Sequence, residues 1–192
     1  GMDLGMQRIE KTLKQLGVDE DLPDYPSVYL GAIELSPMQI AQLYQTLASN
    51  GFQVPLRAIR EVLDKNGKPL QRYELDIQQT VDNKAVFITN ILLKQVVEQG
   101  TARSLSVRLP ELMPLAGKTG TTNDLRDSWF AGFGDDILGV VWVGRDDNKP
   151  AGLTGATGAL QVWIDIMQAL RPHPLSLTAP DRVPWVHVDG DN

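Results

Sequence analysis

Apolar residues at Met6, Ile9, Leu13 and Leu16 recur with the period of one helix face, and Gly17 follows as a C-terminal cap, so the chain opens on an amphipathic helix. The next stretch, "VDEDLPDYPSVYLGAIE", has no such period. It is acidic and broken by prolines, and reads as a loop crossing the surface. A second helix has a well-marked start, with Ser36 as cap, Pro37 at the first helical position and Gln39 placed to close a capping box. It is expected to run to about Ser49, before Asn50-Gly51.

From Val54 to about Tyr73 the apolar segments shorten to "LRAIREVLD" and "KPLQRYE", and Lys65-Asn66-Gly67 between them signals a hairpin. A third helix is predicted from near Asp82 to Gly100. It carries Val86, Ile88, Ile91, Leu92 and Val96 on a face broad enough for a core helix. Beyond Pro114 the chain reads as strands at about Leu115 to Thr121, Ser128 to Phe133 and Ile137 to Gly144. Gly134-Asp135-Asp136 is a tight turn that pairs the last two in antiparallel fashion. A glycine-rich connection leads to a closing helix, Ala159 to Leu170, stopped by Pro172. Helices, then antiparallel strands, then a helix make an α+β fold, an antiparallel sheet flanked by helices. Strand and helix do not alternate, which disfavours a doubly wound sheet. Residues 1–171 form the folded body, and the proline-rich tail 172–192 is expected on the surface or without fixed structure.

With 192 residues, 42% of them hydrophobic, the chain can form one domain that buries roughly 70% of its unfolded surface. The net charge of -6 argues against a broad nucleic-acid or anionic-membrane surface, because those partners select basic patches. The absence of cysteine removes disulfides, thiolate metal sites and a cysteine nucleophile. No apolar run approaches the roughly 20 residues of a membrane span, so no membrane contact by this segment is expected. Gly1-Met2 ahead of a helical pattern reads as an expression scar or a start set inside a longer gene.

The stretch with the most chemistry is "LAGKTGTTNDLRDSWFAGFG", Leu115 to Gly134. Gly117-Lys118-Thr119 matches the end of a phosphate-binding loop, but the first glycine of that pattern falls on Leu112, and Pro114 removes an amide donor. Gly120, Thr121, Thr122 and Asn123 after the lysine also start a helix poorly. On an extended edge strand the same residues suit acyl transfer. Lys118 and Gly120 then point one way and Thr119 and Thr121 the other. Two hydroxyls on one face can grip a carboxylate, Lys118 raises the local potential, and Gly120 lets a peptide approach the strand closely. The backbone N–H of Thr121 is placed to stabilise an oxyanion.

Lys118-Thr119-Gly120 matches the Lys-Thr-Gly element of penicillin-binding proteins and class A β-lactamases. The flanks "LAGKTGTTND", "DSWFAGFG" and "VVWVGRDDNKP", with "LGAIELSPMQIAQLYQTLASNG" and "VVEQGTARSL", closely resemble the transpeptidase domain of bifunctional, class A penicillin-binding proteins of the 1B type, from about Leu4 to about Leu170. The resemblance implies a partial penicillin-binding, β-lactamase-like fold. It also implies a parent enzyme that attacks D-Ala-D-Ala stem peptides with a serine, forms an acyl-enzyme, passes the acyl group to a neighbouring amine, and is acylated by β-lactams. Carried over, Lys118 and Thr121 are the catalytic residues, and Thr119, Gly120, Thr121 and Thr122 bind substrate. Neither cofactor nor metal is implied. The parent is placed at the periplasmic face of the bacterial inner membrane, anchored by an upstream span.

The family needs a serine three residues before a lysine on a helix, so that both project from one face. No serine here has lysine at that spacing, and no Ser-x-Asn occurs. In relatives both elements lie upstream of "DLGM", so the chain reads as the C-terminal part of a transpeptidase domain, inactive alone and prone to self-association through core exposed by the missing half. The alternatives are a catalytically dead peptidoglycan-binding or regulatory module, or an enzyme like a D,D-carboxypeptidase or β-lactamase.

Other polar and aromatic residues read as structural. Phe130 and Trp129 are expected in the core, and Arg126 and Asp127 in an ion pair or turn. His173 and His187, apart from any carboxylate cluster, suit neither a triad nor a metal site. The "DEDLPD" run lacks the ligand spacing of a calcium loop. Gly100-Thr101-Ala102-Arg103 resembles a family element at the active-site rim, and reads equally as a helix stop and loop.

Overall fold

The computed structural model describes residues 5–23 and 25–183. Helix α1 spans Met6–Gln15, and Gly17 just beyond it takes a left-handed φ of 91°, the conformation its missing Cβ permits. Helix α2 spans Pro37–Ala48 and begins on the predicted capping box, with Ser36 Oγ accepting from Gln39 N–H and the Gln39 side chain returning to the Ser36 amide. Strand β1 (Phe52–Gln53) pairs with β4 (Gln78–Gln79), and between them β2 (Glu61–Leu63) and β3 (Pro69–Arg72) form the expected hairpin. Asp64 holds its turn by accepting from Asn66 N–H and Lys68 N–H, while Gly67 supplies a positive φ.

Helix α3 (Asn83–Glu98) starts where Asp82 accepts from the Lys84 and Ala85 amides. The expectation of a broad core face needs correction. Val86, Phe87, Asn90 and Val97 are buried, but Ile88 and Leu92 are 51% and 57% exposed, because α2, the helix that follows and the main sheet all lie against one side of the helix. The short helix α4 (Ser104–Arg108) turns the chain toward that sheet.

The sheet is three antiparallel strands in the order β5 (Ala116–Thr121), β6 (Ser128–Phe133), β7 (Leu138–Val143), close to the predicted spans. Directly opposed residues on antiparallel strands share a face, so Ala116 and Phe133 lie on one side and Thr119 and Phe130 on the other. The first side meets α2. Tyr44 stands edge-on to Phe133 at 6.4 Å between ring centroids, and burial pushes its phenol up to about 12, so it stays neutral. The second side meets α5 (Ala159–Leu170), where Leu160, Trp163, Ile164 and Met167 pack with Phe130, Leu105, Leu109 and Leu115 in the main core.

The chain beyond α5 is not simply a surface tail. Leu175 is buried beside Ala116 and Phe133, and its N–H donates to Pro114 O at 2.7 Å. His173 N–H donates to Asp136 Oδ1 and Ser176 N–H to Asp135 Oδ1, so the β6–β7 turn grips this segment. His173 Nδ1 also lies 3.0 Å from Asp136 Oδ2, a carboxylate contact that sequence spacing did not reveal. His187 lies outside the described residues.

Candidate active site

Strand β5 sits at an edge of the sheet because β6 covers only one of its two sides. Its sequence, Ala-Gly-Lys-Thr-Gly-Thr, changes from buried at Ala116 and Gly117 to exposed at Lys118 and Thr121. The buried start fixes the strand in the core, and the exposed end presents its functional groups. Register places Lys118 and Gly120 opposite Ala131 and Trp129, and Thr119 and Thr121 opposite Phe130 and Ser128. The two threonines therefore share the face that carries α5, and Lys118 projects from the other.

Each threonine meets a group from another element. Thr119 Oγ1 lies 2.7 Å from Thr101 Oγ1, in the turn between α3 and α4. Thr121 Oγ1 accepts from Gly155 N–H at 2.8 Å. Lys118 Nζ donates to Thr119 O at 3.0 Å, and no carboxylate among the described residues pairs with it. The site thus presents an ammonium on one face of the strand and two hydroxyls on the other, toward the end where Lys118 and Thr121 are exposed and Thr119 is half-buried, a set of donors suited to an anionic oxygen.

The loop that delivers Gly155 is itself anchored from beneath. Ser128, fully buried on β6, donates to Thr154 O at 2.7 Å and accepts from Ala159 N–H at 2.8 Å, which ties the loop and the first turn of α5 to the sheet. The turn after β5 adds a second tether. Leu125 adopts a left-handed φ of 56°, and its carbonyl accepts from both Ala151 N–H and Gly152 N–H. Such a conformation costs a branched residue about 1–2 kcal/mol, and the two bonds to the loop offset it.

Thr122, expected among the substrate-binding hydroxyls, is engaged within the turn: its Oγ1 donates to Asp127 Oδ2 at 3.0 Å and accepts from Asp127 N–H at 2.8 Å. Asp127 also accepts from the Trp142 indole at 2.9 Å, so it is the turn carboxylate that the sequence suggested. Arg126 makes an exposed ion pair with Asp124. Phe130 is wholly buried, whereas Trp129 is only half-buried and tilts against Trp142 at 6.2 Å. Thr101 joins the site through Thr119, and together with Arg103, Ala156 and Gln161 it lines a groove on the same flank. Sequence reasoning missed Ser128 and Gly155. A serine inside an apolar strand and a glycine five residues before the last predicted helix's second residue were the available signals.

Lys-Thr-Gly-Thr thus lies on an edge strand flanked by α3, in a three-stranded antiparallel sheet whose other two strands carry α2 on one face and α5 on the other. The chain belongs to the penicillin-binding protein transpeptidase family: the profile described as "Penicillin binding protein transpeptidase domain" matches residues 2–146. It is 44% identical to Penicillin-binding protein 1B of Vibrio cholerae over 184 residues, which cover 95% of this chain and 24% of that protein. It is 40% identical to Penicillin-binding protein 1B of Escherichia coli K12 over 192 residues, or 100% of this chain and 23% of that one. The chain therefore spans about a quarter of the length of these relatives. The crystal structure of Penicillin-Binding Protein 1A from Haemophilus influenzae superposes with a TM-score of 0.81 at 22% identity, covering 92% of this chain and 33% of that chain, and so shares the fold.

Proposed function

We propose that this chain is the carboxylate-recognising part of a serine D,D-transpeptidase in cell-wall synthesis, and that its parent is a bifunctional glycosyltransferase and transpeptidase at the periplasmic face of the bacterial inner membrane, anchored by a span outside this segment. The single observation that carries the reading is the edge strand β5, where Lys118 is exposed with no carboxylate partner among the described residues and Thr119 and Thr121 stand on one face. In the parent, a serine attacks the penultimate D-Ala carbonyl and the terminal D-Ala leaves; the acyl group then passes to the amine of a second stem peptide. β-Lactams acylate the same serine. Thr119 and Thr121 clasp the terminal carboxylate, Lys118 holds positive potential and takes part in proton transfer, Gly120 admits the substrate backbone, and the Thr121 N–H faces the oxyanion. Thr122 supports this set by closing the turn on Asp127. Similarity to Penicillin-binding protein 1B favours this lineage over a dead binding module or a carboxypeptidase.

Without a Ser-x-x-Lys pair this polypeptide is expected to form no acyl-enzyme, yet to keep the clasp. Two measurements test this together. A fluorescent penicillin should leave no covalent band on the chain after denaturing electrophoresis. Titration with a D-Ala-D-Ala-terminated tripeptide should shift the amides of Lys118 to Thr121, and Lys118→Ala should weaken those shifts several-fold, about one charge-assisted hydrogen bond. A covalent band, or a titration that leaves β5 untouched, overturns the reading.

Self-association is part of the same proposal. Along α5 the residues Val162, Ile166 and Leu170 are 43%, 41% and 55% exposed, and β7, at the other edge of the sheet, carries no charged side chain along Leu138–Val143. An unprotected apolar edge invites a further strand. Light scattering is expected to show a mass that rises with concentration; a constant monomer mass at high concentration would count against it.

A further inference from the structure

A hydroxyl carries one proton and two lone pairs, whereas a carboxylate only accepts. The framework around β5 gives its two threonines different kinds of partner. Gly155 N–H can only donate, so it occupies a lone pair of Thr121 Oγ1 and leaves the Thr121 proton for a ligand. Thr119 Oγ1 faces another hydroxyl, that of Thr101, and either oxygen can be the donor. An anionic ligand decides the matter: Thr119 must then give its proton outward, and the Thr101 proton turns onto Thr119 Oγ1.

Resting on the reading of β5 as a carboxylate clasp, we propose that Thr101 is a positioning residue for that clasp, donating to Thr119 Oγ1 so that the Thr119 proton is aimed at the bound anion. The backbone holds Thr101 for this task. Ala102 beside it is fully buried in the main core, its N–H donates to Val96 O at 3.3 Å, and Arg103 N–H donates to Gly100 O at 3.2 Å. The turn is therefore fixed to the same core as Leu115, the residue that leads into β5. Thr101 itself is exposed, so its hydroxyl is not needed to satisfy a buried group. A chain of donors from Thr101 through Thr119 to the ligand also polarises each bond, which strengthens the last one.

The pair is adaptable where Thr121 is not. A carboxamide end offers N–H donors, and toward it the Thr101–Thr119 bond can reverse, while the Thr121 proton has only the carboxamide oxygen to meet. Only the acid, which accepts and never donates, keeps the donor chain from Thr101 through Thr119 running outward, and reversing the chain for a carboxamide gives up its strengthening, so recognition should prefer the free acid and Thr101 should contribute to that preference.

The test is a titration of the isotopically labelled chain with one D-Ala-D-Ala-terminated tripeptide, as the free acid and as the C-terminal carboxamide, followed at the β5 amides. Wild type is expected to bind the acid more tightly. Thr101→Val should weaken acid binding about three- to tenfold and shrink the acid-to-amide ratio, and Thr101→Ser should restore both. A merely structural Thr101 predicts a lower denaturation midpoint for the valine variant with the ratio unchanged. That unchanged ratio, against a wild type that prefers the acid, overturns the inference alone. A wild type that binds acid and amide equally also overturns it. A wild type whose β5 amides do not respond to the acid removes the clasp itself and this inference with it. Should the valine variant unfold, Thr101→Ala carries the same expectation.

Discussion

Replacing Gly155 by alanine is expected to detach the 152–158 loop from β5 and to abolish the Thr121 contact. A Cβ built at Gly155 falls 2.6 Å from Gly120 O, 2.7 Å from Trp129 O and 2.9 Å from Thr119 Cβ. Two of those atoms are carbonyl oxygens of the sheet backbone, which cannot swing aside as a side chain does. The loop must move instead, and the Gly155 N–H leaves Thr121 Oγ1. Overpacking of this kind costs about 1–3 kcal/mol. The larger effect is local: the amide shifts of Gly155 and Thr121 should change, and the β5 response to the D-Ala-D-Ala peptide should be lost. Thr121→Val separates clash from bond, since it removes the acceptor without pushing the loop. Its stability cost should be smaller, near 1 kcal/mol, while peptide recognition still falls. If Gly155→Ala leaves the denaturation midpoint and the peptide response as in wild type, the loop is not seated on β5 as described.

The parts of this site that were legible in the sequence are those set by local rules. Pleat alternation alone separates Lys118 from Thr119 and Thr121, and the register bears that out. The capping box at Ser36, the Asn66-Gly67 turn and the closing helix are likewise local, and each appears where its residues place it. What was not legible depends on contacts across the chain. Thr101 meets Thr119 only because Ala102 is buried with Leu115, and Gly155 meets Thr121 only because Ser128 anchors the loop from the opposite strand. Periodicity reports which residues of α3 are apolar, but not that Ile88 and Leu92 face away from the sheet. The segment after α5 misled for a related reason: Leu175 has no periodic partner in sequence, and its burial is decided by the Pro114 carbonyl and the β6–β7 turn. Family resemblance supplied the chemical meaning of Lys118-Thr119-Gly120. Side-chain contacts supplied the reason its hydroxyls are held where they are.

The largest loss of stability is expected for Trp163→Ala. Trp163 is fully buried at the middle of α5, stands edge-on to Phe130 at 5.0 Å between ring centroids, and donates its indole N–H to Gly139 O at 3.0 Å. Truncation removes the ring contact, the apolar area and the hydrogen bond together, and should cost about 3–5 kcal/mol. A domain of this size holds only about 5–15 kcal/mol in all, so the variant should be marginal or unfolded. Trp163→Phe keeps most of the ring and loses the N–H, and should cost less, about 1–3 kcal/mol. The link to the site is direct, because Phe130 lies opposite Thr119 and Leu115 leads into β5 within the same core. Loss of Trp163 packing should therefore broaden the β5 amide resonances of any variant that still folds, before the helices on the far face respond. Denaturant unfolding of the three proteins, compared at equal slope, gives the magnitudes. A Trp163→Ala variant within 1 kcal/mol of wild type would mean that packing of α5 is not what holds β5 in place.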